Sequence, residues 1–221
     1  MVSSFYSLPG WFFGYDIALE LIFGVITALV AFFSWKIYGL CKERHCRLLG
    51  FAFVSISISY FLLAFLNLLA ASSQVGGTLI TISLKNVIVP SSIWIYAYIF
   101  FFLFGLSMLT YLTFKVRDQR LFVLIVSLSM VVVIFSKQAG VAFNFVAAVL
   151  LFYVLLFYVD SYKKSKRGKG VLVMLAFLLL FFARISFVFA YLNPLPYVAD
   201  HIIELIAYGL LLLSLVSTAR K

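Results

Sequence analysis

Long apolar stretches interrupted by short polar punctuation make up almost the whole chain. Runs able to cross a hydrocarbon layer of about 30 Å extend roughly over 15–40, 48–71, 93–114, 120–136, 140–162, 170–192 and 196–218. They predict seven helices, an all-α polytopic membrane bundle that takes up residues 1–221 as a single transmembrane domain. The fourth run is the shortest, and only Lys137, Gln138 and Ala139 separate it from the fifth, which predicts a tight helical hairpin. A merged re-entrant pair, leaving five full spans, is the alternative.

Only the connection over 72–92 has length. Gly76-Gly77 precedes an alternation of β-branched and hydroxyl residues from Thr78 to Leu84, closed by the polar pair Lys85-Asn86. That pattern predicts a small extracellular hairpin, with an interfacial helix as the other reading. No internal repeat of the kind that builds inverted-repeat transporters is evident.

Composition sharpens the picture. The chain is 66% hydrophobic and 11% charged, whereas a soluble domain is roughly half apolar and about a quarter charged. Seven spans leave no length for a soluble catalytic or DNA-binding domain. The net charge of +10 is explained by position. Lys36, Lys42, Arg44 and Arg47 surround the first connection, Lys115, Arg117 and Arg120 the third, Lys163, Lys164, Lys166, Arg167 and Lys169 the fifth, and Arg220 and Lys221 end the chain. In a seven-span arrangement all of these share one side, and only Lys85 and Lys137 fall on the other. The positive-inside rule then predicts N-outside, C-inside topology. Nucleic acid has no support as a partner. The basic loop from Lys163 to Lys169 fits anionic inner-leaflet lipid. The expected location is a cell membrane, multi-pass, of the prokaryotic plasma-membrane type. No Lys or Arg precedes Lys36, so no positive n-region of a cleaved signal is present and residues 1–221 read as the mature chain. On the outer side Trp11, Phe12, Phe13, Tyr15, Trp94, Tyr96, Tyr98, Tyr191 and Tyr197 fit an interfacial aromatic belt.

Ionisable groups inside spans are informative, because a charge in hydrocarbon costs several kcal/mol unless it meets a partner or water. Asp16 and Glu20 form an i, i+4 pair in the first helix; Asp200, His201 and Glu204 lie within little more than one turn of the seventh; Arg184 lies in the sixth. At about 1.5 Å per residue, Arg184 lies about 12 Å, Glu204 about 11 Å and Glu20 about 8 Å below the outer boundary. With Asn67 and Asn144 at similar height, these eight residues are candidates for a ligand- or ion-binding polar cavity in the outer half. Arg184 with Glu204 is its cheapest internal pair, because the sixth and seventh helices are joined by the short turn Asn193-Pro194-Leu195-Pro196. Simpler readings stand beside this one. Asp16 and Asp200 suit helix N-termini, the Arg184 pair suits a structural tie between helices, and His201 suits a hydrogen-bonding histidine.

Cofactors and metals have no evident place. One intramembrane His does not allow bis-histidine haem ligation. Cys41, His45 and Cys46 are too crowded and lack a fourth zinc ligand; on the cytosolic side they read as solvated or lipid-modified thiols rather than a disulfide. No Lys between Gly170 and Ala219 is available for a retinal Schiff base, and no nucleotide-binding or nucleophile-elbow motif occurs. A noncatalytic role is therefore expected.

The segment Pro9-Gly10-Trp11-Phe12-Phe13-Gly14-Tyr15-Asp16, the basic turn Lys42-Glu43-Arg44 and the closing stretch from His201 to Gly209 resemble uncharacterised small seven-helix archaeal membrane proteins. More loosely, they resemble the membrane sensor modules that precede histidine kinases. The resemblance implies a sensory or accessory module. The sequence carries no kinase output domain, so a signal would pass to a separate cytosolic or membrane protein partner. A small ion, proton or solute transporter subunit, with Glu20 and Glu204 as acid groups, and a structural or assembly protein are the other expectations.

Overall fold

A computed structural model of the chain describes residues 13–75, 81–114, 118–165, 168–189 and 195–219. All regular structure among them is helical: α1 (Phe13–Cys41), α2 (Arg44–Val75), α3 (Thr81–Thr113), α4 (Gln119–Ile134), α5 (Ala139–Ser165), α6 (Gly168–Phe189) and α7 (Leu195–Ala219). Helices satisfy every backbone N–H and C=O within one segment, as a spanning chain in lipid must. Six contain spans of mean hydropathy 1.7 to 2.6. The fourth is the short one, 16 residues, or about 24 Å at 1.5 Å per residue.

The expected extracellular hairpin is not formed. Thr81 to Pro90 instead extend α3, so the long connection contracts to 76–80, which lies outside the described residues. The β-branched alternation that suggests a strand has no neighbouring strand to pair with, whereas continuing the helix closes its backbone hydrogen bonds locally.

Helix directions follow from side-chain pairs. Ser57 Oγ donates to Gly24 O (2.7 Å), and Trp35 packs on Phe51, so α1 and α2 are antiparallel. The succession Tyr98 on Phe143 and Phe114 on Tyr153 makes α3 and α5 parallel. A parallel pair requires α4 to carry the chain back across the full thickness, and Phe122 near its start does pack on Phe104 and Tyr111 of α3. This path runs against a merged re-entrant pair, although α4 is shorter than the six helices long enough to span. Helices α1, α2, α3, α5, α6 and α7 close into a ring, α1 against α7, while α4 lies outside it in the seam between α3 and α5. Asp16 beside His201 and Phe23 beside Tyr208 show α1 and α7 to be parallel.

Two devices set the fit of α1 to α2 and of α2 to α3. Lys42 occupies the left-handed region (φ 51°) and its N–H bonds Tyr38 O at 2.8 Å, ending α1 and letting α2 begin within two residues. Gly105 lets α3 approach α2 closely, since a Cβ there would lie 2.7 Å from Ala52 O.

The outside of the ring is apolar and the inside holds the charge, the reverse of a soluble protein. Leu21, Ile22, Val25, Leu29 and Phe32 of α1 are exposed, as are Val123, Leu124, Leu128, Val131 and Phe135 around α4. Basic residues Lys36, Lys42, Arg44, Arg47, Arg120 and Lys163 gather at the end where α1, α3 and α5 finish, and Lys137 lies at the other. The chain is a multi-pass integral membrane protein, and the gathering of basic residues at one end is the pattern that the positive-inside rule associates with a cytosolic face. Most of the expected lipid-binding loop and Lys85, Lys115, Arg117, Arg220 and Lys221 lie outside the described side chains, as do Cys41 and, of the aromatic belt, Trp11, Phe12, Phe13, Tyr191 and Tyr197.

Candidate functional site

Helix geometry brings the outer-half polar residues together. In α1, Asp16 and Glu20 are one turn apart and point inward; in α7, Asp200, His201 and Glu204 share the inward face. Asp16, Glu20, Arg184, Asp200, His201 and Glu204 are all buried, none more than 6% exposed. Four of the chain's seven acidic residues thus sit inside the ring.

Arg184 is the centre. Its Nη2 forms an ion pair with Glu204 Oε1 and donates to the Tyr60 hydroxyl at 3.1 Å; its Nη1 donates to Asn144 Oδ1 at 3.2 Å. The contact to Glu204 is one of charge and close approach, since that oxygen accepts no aligned hydrogen bond. The guanidinium also lies 4.5 Å from the Phe102 ring centroid and 5.5 Å from that of Phe187, where the ring faces favour a cation. One side chain of α6 therefore touches α2, α3, α5 and α7. Asn144 is itself held by donating to Gly140 O at 3.0 Å.

The other candidates pair around this centre. Asp16 Oδ1 lies 3.0 Å from His201 Nε2, and the His201 ring meets Phe187 edge-on at 5.4 Å. The hydrogen-bonding reading of His201 thus fits its surroundings. Asp16 does lie in the first turn of α1, where the macrodipole favours it, yet it is buried against α7 rather than solvated at a boundary. Asp200 is likewise buried and accepts from Ser186 of α6. Glu20 does not pair with Arg184: its Oε1 accepts from Asn67 Nδ2 at 2.8 Å, and its Oε2 makes no hydrogen bond. Asp16 and Glu204 lie close enough to Glu20 for their charges to act on it.

Three tyrosines join the cluster without having been singled out for it. Tyr60 and Tyr208 share a hydroxyl–hydroxyl bond of 2.9 Å, and Tyr98, expected in the interfacial belt, is buried against Phe102 and Phe143. A tyrosine in an apolar run reads as core or belt. The available signal was spacing, since Tyr208 follows Glu204 by four and Tyr60 precedes Asn67 by seven, each on the same helix face. Tyr15, Trp94 and Tyr96 remain exposed at the outer end, as a belt requires.

Where an open cavity was expected, the described side chains fill the space with one another. The void beside Arg184 and Tyr208 has room for about one water. The rest of its lining, Phe53, Ile56, Phe102, Leu106, Leu109, Leu151, Phe177 and Leu180, is apolar and buried. Of the inner-half hydroxyls, Ser55 Oγ donates to Phe101 O at 2.6 Å and Ser57 Oγ to Gly24 O, whereas those of Ser107 and Tyr111 make no hydrogen bond among the described residues. No group of three or more His, Cys, Asp or Glu side chains converges as a metal site among the described residues. The arrangement links buried acidic, basic, amide and phenolic groups on five helices through ion pairs and hydrogen bonds. Comparison of the chain with protein-family models, with curated proteins and with solved structures gives no match.

Proposed function

We propose that the chain is a noncatalytic, receptor-like sensory or accessory module of a prokaryotic plasma membrane, with the outer-half polar cluster as its sensing element. The observation that carries this reading is the reach of Arg184, whose one buried charge contacts Glu204, Tyr60 and Asn144 on three other helices. A change of charge at the outer end shifts the partners of that guanidinium. The helices holding them run to the basic cytosolic turns, where anionic lipid at Lys163–Lys169 and a separate protein partner would receive the shift. The sensor-module resemblance agrees with this reading.

The test is thermal stability of the detergent-purified protein against a panel of ions and metabolites, for the natural chain, Arg184→Gln and Glu204→Gln. A ligand that stabilises only the natural chain supports the sensory reading. If nothing shifts stability and both variants are simply weaker, the pair is a structural tie and the protein an assembly component. Small-ion transport draws support from the unpartnered Glu20 oxygen. The buried apolar side chains packed around and below Arg184 weigh against a through-route.

A further inference from the structure

Charge counting within the ring leaves a remainder. Arg184 balances Glu204, and His201, if protonated, balances Asp16. Two carboxyls, Glu20 and Asp200, then have no cation of their own among the described side chains, and with His201 neutral the excess grows by one. Both are buried, both accept from a neutral donor on one oxygen (Asn67 and Ser186), and both keep a second oxygen, Glu20 Oε2 and Asp200 Oδ2, that makes no hydrogen bond. An unpaired carboxylate buried this way costs several kcal/mol. Something positive belongs there.

We infer that the outer cluster is a proton-binding site and that Glu20 Oε2 is the atom that takes the proton. The inference rests on the sensory reading above and names its ligand. Glu20 is distinguished from Asp200 by its neighbours. The charges acting on Glu20 are the carboxylates Asp16 and Glu204, whereas Asp200 also lies within reach of His201 and Arg184. The groups that face the cluster are Asp16 from α1, Tyr60 and Asn67 from α2, Tyr98 from α3, Asn144 from α5, Arg184 from α6, and Asp200, His201, Glu204 and Tyr208 from α7. Among the described residues Arg184 and His201 are the two that bring positive charge, and each already has an acid partner.

A proton fits better than a metal ion. Hard cations need six or more oxygen ligands, or several carboxylates with ordered water, and no such convergence exists among the described residues. A proton needs one oxygen. It comes from outer bulk water, forms the Oε2–H bond, and returns by the same route, because the core on the inner side, Phe53, Leu106, Leu109, Leu151 and Phe177, is apolar and buried. The carboxylate becomes a neutral acid and hydronium becomes water; nothing is oxidised or reduced. Loss or gain of that proton changes by one the charge that Asp16 and Glu204 experience, and Glu204 passes the change to Arg184.

The experiment is infrared spectroscopy of the protein in lipid vesicles while the outer pH is varied. The expected result is a carbonyl band of a protonated carboxylic acid at neutral pH in the natural chain, shifted in heavy water, retained in Asp200→Asn and lost in Glu20→Gln. Glutamine copies the neutral acid in shape and hydrogen bonding, so this variant keeps the fold. The natural chain alone also decides: no protonated-carboxyl band between neutral and mildly acidic pH overturns the inference, as does a band that survives Glu20→Gln. Absence of the band alongside a ligand that stabilises the natural chain refutes the proton site and leaves the sensory reading intact. The band, with thermal stability indifferent both to outer pH and to every ligand, keeps the proton site and refutes the sensory reading.

Discussion

The hydroxyls of Tyr60 and Tyr208 meet at 2.9 Å across the interior of the ring, although α2 and α7 do not pack against each other. Tyr60 accepts in addition from Arg184, so the two phenols connect the guanidinium to the far wall. Tyr208→Phe is expected to cost about 1 kcal/mol, and Tyr60→Phe, which also strips a partner from a buried charge, about 1–3 kcal/mol. Thermal unfolding in detergent measures both. The double variant is expected to lose less than the sum of the two, because they share one bond; strict additivity would contradict the bridge.

Arg184 and Glu204 provide a sharper cycle. Removing either partner leaves the other buried and uncompensated, for a loss of about 3–5 kcal/mol, whereas removing both spares that penalty. Arg184→Gln and Glu204→Gln singly are therefore expected to reduce folded yield and thermal stability more than the double variant does. Arg184→Lys does not restore the natural stability, because an ammonium lacks the planar fork that reaches Glu204, Tyr60 and Asn144 together. Full rescue by lysine would show that charge alone suffices.

Two glycines in the bundle have opposite expectations. A Cβ at Gly105 would stand 2.6 Å from Ile56 Cγ1 and 2.7 Å from the Ala52 carbonyl oxygen, while one at Gly209 meets nothing within 4 Å. Gly105→Ala has to push α3 off α2, at about 1–3 kcal/mol. Gly209→Ala is expected to be neutral or to stabilise by up to about 1 kcal/mol through helix propensity. A side-by-side melting comparison decides; equal behaviour of the two variants would mean that α2 and α3 are not in close contact.

Topology can be checked by labelling. Single cysteines at Lys137 and at Lys42, in a background with Cys41 and Cys46 replaced by serine, are expected to react with a membrane-impermeant maleimide from opposite sides of intact cells, Lys137 from outside. Reaction of both from the same side would show that α4 does not cross.

Much of this arrangement was legible in the residues, and the exceptions have physical reasons. Runs of apolar residues locate the helices because lipid leaves the backbone no other choice. Arg184 with Glu204 was legible because a short turn fixes α6 against α7. The partner of Glu20 was not, because depth places Asn67 and Arg184 at similar heights and says nothing of azimuth around the ring. The position of α4 outside the ring was equally hidden, since Val123, Leu124 and Leu128 read as apolar whether they face lipid or core. Thr81 to Leu84 misled because β-propensity reports a half-buried pleated surface, and no second strand provides one.

The contact of α1 with α7 has a consequence for biogenesis. Translation delivers α1, with Asp16 and Glu20 on its inward face, long before His201 and Glu204 emerge, an interval of roughly 10–40 s at ribosomal speeds of about 5–20 residues per second. During that time Asp16 waits for His201, while Glu20 can already accept from Asn67 of α2. The nascent bundle is an open arc, and its vulnerable edge is the first segment made. Insertion machinery or a lipid-side chaperone has to shelter that edge until the last helix docks, so truncation anywhere before α7 is expected to send the product to proteolysis rather than leave a smaller stable bundle.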